Sequence, residues 1–196
     1  MKEEDRIEIV MRAKAELRKR LRGLRNTYPA AALAKRSERI VETLDELDAI
    51  ANAKTVSLFW PIEARHEVDL RDLDARLRAR GVAIAYPSLE ETGEMTFRVS
   101  TVEGLTEDPL GFRGAPQSAP EPENIDAIVI PAIALDAEGR RLGYGAGFYD
   151  RALPRFAPAK KIGVAYDFQL LAEVPVSPND VTMDIVVTDA RVITVA

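Results

Sequence analysis

The chain has 196 residues, no cysteine and one histidine, which excludes disulfides, thiolate nucleophiles, iron–sulfur clusters and multi-histidine metal centres. Its 27 basic and 32 acidic residues leave a formal charge of −5, a balance that opposes generic nucleic-acid binding. With 46% hydrophobic residues, and neither an apolar signal core nor a run of membrane-spanning length, it reads as a cytoplasmic, soluble single domain over residues 1–196.

Ala13, Leu17, Leu21 and Leu24 are spaced 4, 4 and 3, so one apolar stripe of a helix is expected over residues 7–25. A second helix is expected from about Pro29 to Ile50, with Pro29 in its first turn. Thr55 to Trp60 is β-branched and aromatic and ends at Pro61, a strand pattern. Leu70 to Arg80 reads as a helix stopped by Gly81, and Val82 to Tyr86 as a strand ended by Pro87. Met95 to Val99 is a short strand. The stretch 104–124, with Pro109, Pro116, Pro120 and Pro122, reads as a long crossing loop. Asp126 to Ile130 is apolar almost throughout, as a central strand buried on both faces must be. A helix is expected over Gly145–Phe156, and further strands over Lys161–Tyr166, Ile185–Thr188 and Val192–Val195. The alternation of strand and helix from residue 55 onward means βαβ units, hence an α/β fold with a mainly parallel sheet covered on both faces.

Three segments carry candidate chemistry. In Arg140-Arg-Leu-Gly-Tyr-Gly-Ala-Gly-Phe-Tyr-Asp150, glycines 143, 145 and 147 alternate with Tyr144 and Ala146 ahead of a helix. Such a loop can turn backbone N–H groups toward an anion, with Arg140 and Arg141 to neutralise phosphate and Asp150 to hold Mg²⁺ on it. A tight Gly-rich turn with a solvated arginine pair would use the same residues. On the first helix, Lys14, Arg18, Arg22 and Arg25 form a basic ridge one residue after the apolar stripe. It suits an anion site, or simply a solvated face. After the first strand, Trp60 can stack on a flat heterocycle and Glu67 can accept hydrogen bonds from ring nitrogens. Equally, Trp60 suits the core, and Glu67 or Asp69 a helix cap. His66 has no partner in view and reads as a surface loop residue. Asn179, Asp180 and Asp184 suit turns and caps, or a second metal ligand.

Arg141-Leu-Gly-Tyr-Gly-Ala-Gly-Phe-Tyr-Asp-Arg151, after Ile130-Pro131 and Leu135-Asp136, closely resembles the signature of the 5-formyltetrahydrofolate cyclo-ligase (methenyltetrahydrofolate synthetase) family. Lys14-Ala-Glu-Leu-Arg18, Glu67-Val-Asp69, Met95-Thr-Phe-Arg98 and Val174-Pro to Asp180 and Asp184 match other family segments in order, so the resemblance spans about residues 12–190. The residues before Met11 stand outside it as an N-terminal extension. Ala146 and Phe148 depart from the family pattern of glycine and tyrosine, and Ser88 stands where a basic residue is frequent.

The resemblance implies a three-layer α/β/α sandwich with a Rossmann-like sheet. It also implies cyclisation of 5-formyltetrahydrofolate to 5,10-methenyltetrahydrofolate with ATP as co-substrate and Mg²⁺ as cofactor. Lys14, Arg18, Arg141 and the loop Leu142, Gly143, Tyr144, Gly145, Ala146, Gly147, Phe148 and Tyr149 would bind ATP, with Arg141 and Tyr149 catalytic. Trp60, Glu67 and the segment from Tyr144 to Phe148 would contact the folate, and Asp150 and Asp180 would hold the metal. The partners implied are these small molecules, with no nucleic acid and no membrane, on a monomer or weak homodimer. A non-catalytic nucleotide- or folate-binding relative, an RNA-associated protein using the basic helix, and a sugar-phosphate isomerase of similar fold are the competing readings.

Overall fold

The computed structural model describes residues 3–108 and 111–195, so Met1 and Lys2 of the extension and Pro109 of the crossing loop lie outside the described residues. Three helices lead the chain: α1 (Glu3–Asn26), α2 (Ala30–Glu46) and α3 (Asp48–Ala51). Then come β1 (Thr55–Ser57), α4 (Arg71–Ala79), β2 (Ala83–Leu89), β3 (Met95–Val99) and the small pair β4 (Thr106–Glu107) and β5 (Arg113–Gly114). The second half holds β6 (Ala127–Pro131), the pair β7 (Ala134–Leu135) and β8 (Arg141–Leu142), α5 (Phe148–Ala152), β9 (Lys160–Val164), β10 (Ile185–Val187) and β11 (Val192–Thr194).

Seven strands form one sheet in the order β11-β10-β9-β6-β1-β2-β3. The five inner strands run parallel, and β3 and β11 close the two edges antiparallel. This is the mainly parallel α/β sheet expected from the alternation of elements. Period-2 geometry sorts the side chains. Val56, Ala127, Val129, Ile162 and Val164 point to one face, under α2 and α4, with Ile40, Leu44, Leu73 and Leu77 fully buried against them. Ile128, Ile130, Ala165 and Val186 point to the other, covered by Ala152 and Leu153. That second layer is thin: α5 has five residues and passes into a 3-10 turn, Leu153–Phe156.

Four local expectations need correction. The second helix breaks at Leu47, whose extended backbone (ψ 125°) separates α2 from α3. The strand β2 runs through Pro87 to Leu89. Pro87 directs its carbonyl away from β3, to Ala115 N at 3.0 Å, so its missing N–H falls on the side where β1 has ended. The crossing loop carries the paired strands β4 and β5. The helix after the glycines opens at Phe148, with Gly147 in the left-handed region, rather than at Gly145.

Helix α1 packs through Leu17 and Leu21 on Ile133, Ala134, Leu142 and Val174. Leu24 stands exposed, and Lys14 and Arg25 are buried instead. Of the basic ridge expected beside the seam, Lys14 and Arg25 lie within it, Arg18 is half-buried and Arg22 is exposed.

Candidate active site

The loops after β1, β6 and β8 converge with α1 and the segment 177–180 on one cavity of about 500 Å³. It lies past the carboxyl ends of parallel strands, where open α/β sheets bind ligands. Lys14, Arg18, Trp60, Glu67, residues 141–150 and Asp180 all line it.

The cations come from opposite ends of the chain. Lys14 is 4% exposed. Its Nζ donates to Ser177 Oγ at 2.8 Å and is paired with Asp180. Arg18 Nε donates to the Gly143 carbonyl at 2.8 Å. Burial and the nearby Arg22 hold the Arg18 guanidinium below its ordinary range against the opposing pull of Asp180. Arg141 donates to Asp150 Oδ2 at 2.9 Å and to the Pro131 carbonyl at 3.4 Å, while its Nε is buried with no partner. Three cations against two carboxylates leave this part of the cavity positively charged, as an anion site requires.

The Gly-rich loop holds its shape by backbone demands. Gly145 (φ 107°) and Gly147 (φ 66°) take conformations that L side chains rarely adopt. Tyr144, between them and Gly143, sits among three guanidiniums, with Arg65, Arg22 and Arg25 at 4.9, 5.3 and 5.9 Å from its ring. Its hydroxyl accepts from Arg25 Nη2 at 2.9 Å. Burial and the adjacent Glu67 carboxylate raise its pKa, so the phenol stays protonated. Burial likewise raises Tyr149 against the opposing charge of Arg141. The Tyr149 ring packs on Phe97 at 6.3 Å and under the Arg141 guanidinium at 5.5 Å. Leu142 faces the small cluster beneath α1, and Phe148 carries the Arg151 guanidinium over its ring.

On another wall, Glu67 accepts from Ile62 N at 2.9 Å. Trp60 packs against the core beside Tyr86 and has the Arg113 guanidinium 4.8 Å from its ring. Trp60 is thus both a core neighbour and a cavity wall.

Some sequence candidates lie elsewhere. Arg140 turns to Glu173 at 3.1 Å and to Asp136, away from the cavity. Asp184 accepts from Lys161 N at 2.7 Å, a strand-linking role. His66 occupies a left-handed turn position outside the cavity lining. The five-residue α5 also supplies far less dipole than the helix expected there. Ser177 and Arg65 are among the cavity residues that sequence spacing does not single out. Ser177 lay within the matched stretch beside Asp180 and was identifiable. Arg65 reaches Tyr144 only through the turn at His66, which no local pattern announces.

Among the described residues, no three His, Asp or Glu side chains gather as a protein-only metal cage. Asp150 and Asp180 both line the cavity, each already facing one cation. Two carboxylates beside an anion site fit Mg²⁺, which binds through one or two carboxylates together with substrate phosphates.

Comparison with known proteins identifies the family. The model of the 5-formyltetrahydrofolate cyclo-ligase family matches residues 10–189. The 5-formyltetrahydrofolate cyclo-ligase of Mycolicibacterium smegmatis is 34% identical, over 92% of this chain and 95% of the relative. The NMR structure of Aquifex aeolicus 5,10-methenyltetrahydrofolate synthetase superposes with a TM-score of 0.79 at 30% identity, covering 92% of each chain. A 5,10-methenyltetrahydrofolate synthetase from Mycoplasma pneumoniae gives 0.70 at 26% identity, over 90% of this chain and 98% of that one. The chain is a member of the 5-formyltetrahydrofolate cyclo-ligase family of enzymes.

Proposed function

We propose that this chain, acting as one domain, converts 5-formyltetrahydrofolate to 5,10-methenyltetrahydrofolate with ATP and Mg²⁺, through a phosphorylated formyl intermediate. The observation that carries this reading is the convergence of Lys14, Arg18 and Arg141 on the cavity that Trp60 and Glu67 also line. One cavity then offers charge for a triphosphate and a flat ring with a carboxylate for a pterin.

The formyl oxygen attacks the γ-phosphorus, and ADP leaves with the electron pair of the broken P–O bond. N10 then attacks the formyl carbon and loses its proton. The C–O bond breaks, and phosphate departs carrying the former formyl oxygen. Phosphoryl transfer asks a protein for position and charge more than for covalent chemistry. Lys14 and Arg18 neutralise the phosphate chain. Arg141, with one N–H unpaired, follows the transferred phosphoryl oxygens. The Tyr149 hydroxyl, protonated at neutral pH, donates into the same region. Residues Tyr144 to Phe148 separate nucleotide from folate and keep water from the reacting carbon. Trp60 stacks on the pterin and Glu67 accepts from its N–H groups. Mg²⁺, held by Asp150 and Asp180 with the phosphates, would withdraw charge from the transferred group.

Labelling the formyl oxygen with ¹⁸O tests the route. Label in the released phosphate is the expected result; label lost to water would contradict the phosphorylated intermediate.

A further inference from the structure

The segment that carries Glu67 is clamped from behind by two buried hydroxyls. Tyr166, at the carboxyl end of β9, is 1% exposed, and Ser37 in α2 is 3% exposed. The Tyr166 hydroxyl donates to the Glu67 main-chain carbonyl at 3.1 Å. Ser37 Oγ lies 3.2 Å from that hydroxyl and accepts from Asp69 N at 3.0 Å. Because Tyr166 directs its one proton to Glu67, the Ser37 hydroxyl must donate to Tyr166. The chain therefore runs in one sense: Asp69 N–H to Ser37, Ser37 to Tyr166, Tyr166 to Glu67 C=O. It grips both ends of Glu67-Val68-Asp69, and Val68 is itself buried.

The clamp is rigid. The Tyr166 ring stacks on Phe168 (5.6 Å, 16°), and Phe168 stacks on Tyr28 (4.2 Å, 9°). The Tyr166 backbone N–H donates to the buried Gln169 side chain, which in turn donates to the Ile133 carbonyl at 2.7 Å. None of Ser37, Tyr166 and Gln169 lines the cavity.

We infer that Tyr166 and Ser37 are positioning residues that set the Glu67 carboxylate for the folate, without touching either substrate. The inference rests on the proposed role of Glu67. A loosened clamp lets the Glu67 backbone drift, and a displacement of a fraction of an ångström in a hydrogen-bonding group weakens binding of the ring it reads.

The test compares wild type, Glu67→Ala, Tyr166→Phe, Ser37→Ala and the double variant Glu67→Ala/Tyr166→Phe. Each is assayed with either 5-formyltetrahydrofolate or ATP varied, and 5-formyltetrahydrofolate is titrated calorimetrically into each. Tyr166→Phe and Ser37→Ala are expected to raise the folate KM and Kd about three- to tenfold, the scale of one lost hydrogen bond. The ATP KM stays within about twofold, because the clamp lies behind Glu67 and not behind the cations. Tyr166→Phe adds nothing further once Glu67 is alanine. Equal rises in both KM values, or additive effects in the double variant, would reduce the clamp to a general structural role and overturn the inference. A raised folate KM in Glu67→Ala with unchanged values in both hydroxyl variants overturns the positioning alone. An unchanged folate KM in Glu67→Ala, or a wild type that neither binds nor turns over the folate, overturns the Glu67 assignment and the clamp together. Ser37→Ala removes the same chain from a different element, so the answer does not depend on one variant folding.

Discussion

Arg141 and Asp150 bridge the two ends of the Gly-rich loop: Nη2 donates to Oδ2 at 2.9 Å, and their side chains are 4% and 20% exposed. Asp150 also accepts from Val181 N at 3.2 Å, so the pair ties the loop to the segment that carries Asp180. A buried pair of this kind holds its cation in place more than it adds stability.

Asp150→Asn keeps the shape and removes the charge. Turnover is expected to fall about 100-fold, the scale seen when a positioned electrostatic group is lost. The ATP Kd changes far less, since Lys14 and Arg18 remain. Steady-state kinetics beside an ATP titration checks both; wild-type turnover would remove Asp150 from the site.

Gly143 is needed for Arg141 rather than for its own backbone. A Cβ there would stand 2.5 Å from Arg141 Nη1. The guanidinium is held by Asp150 and the Pro131 carbonyl, so it has to shift. Gly143→Ala should lower kcat about tenfold or more and leave the melting temperature within a few degrees of wild type. An unchanged kcat would mean that the guanidinium's position is not critical.

Arg25 is 3% exposed, and its Nη2 donates to the Tyr144 hydroxyl. Tyr144→Phe leaves that buried group without its acceptor and should destabilise the fold by about 1–3 kcal/mol. Adding Arg25→Met removes the stranded charge and should recover most of the loss. Urea unfolding of the single and double variants measures it; a double variant less stable than Tyr144→Phe would contradict the account.

Acid sensitivity has a nameable contributor. Burial pushes the Asp167 carboxyl up, but Arg191, at 2.7 and 2.8 Å, and the Thr188 hydroxyl outweigh it and hold the pKa below its ordinary 3.8. A depressed carboxylate stabilises the fold above the unfolded value, and that stability is lost as the pH falls through the folded value. Thermal melts of wild type and Arg191→Ala should therefore differ at pH 7 and converge in the region below 3.8. A constant gap across the titration would assign the effect to packing instead.

The parallel sheet was legible because its signal is local. Ala127–Pro131 is apolar on both faces, and the elements alternate along the chain. The cavity was legible through the cations of α1 and the glycines of the 143–147 loop. Other features depended on tertiary contacts. The spacing of Leu24 suits a buried stripe, yet α1 docks through Leu17 and Leu21 only, while Lys14 is buried at the cavity and Arg25 against the Tyr144 hydroxyl. Arg140 and Arg141 are neighbours in sequence, but Arg140 stands before β8 and pairs with Asp136 and Glu173, while Arg141 opens β8 and enters the site. Pro87 reads as a strand end unless the loss of β1 beside it is known.

The most direct test of the central claim mixes purified protein, 5-formyltetrahydrofolate and MgATP and follows the absorbance of the conjugated methenyl product, with ATP and Mg²⁺ omitted in turn. The absorbance is expected to rise only with both present, and the rise to collapse when Arg141 is replaced by alanine. No rise from a folded protein that still binds ATP, or a rise indifferent to ATP, would contradict the proposed activity.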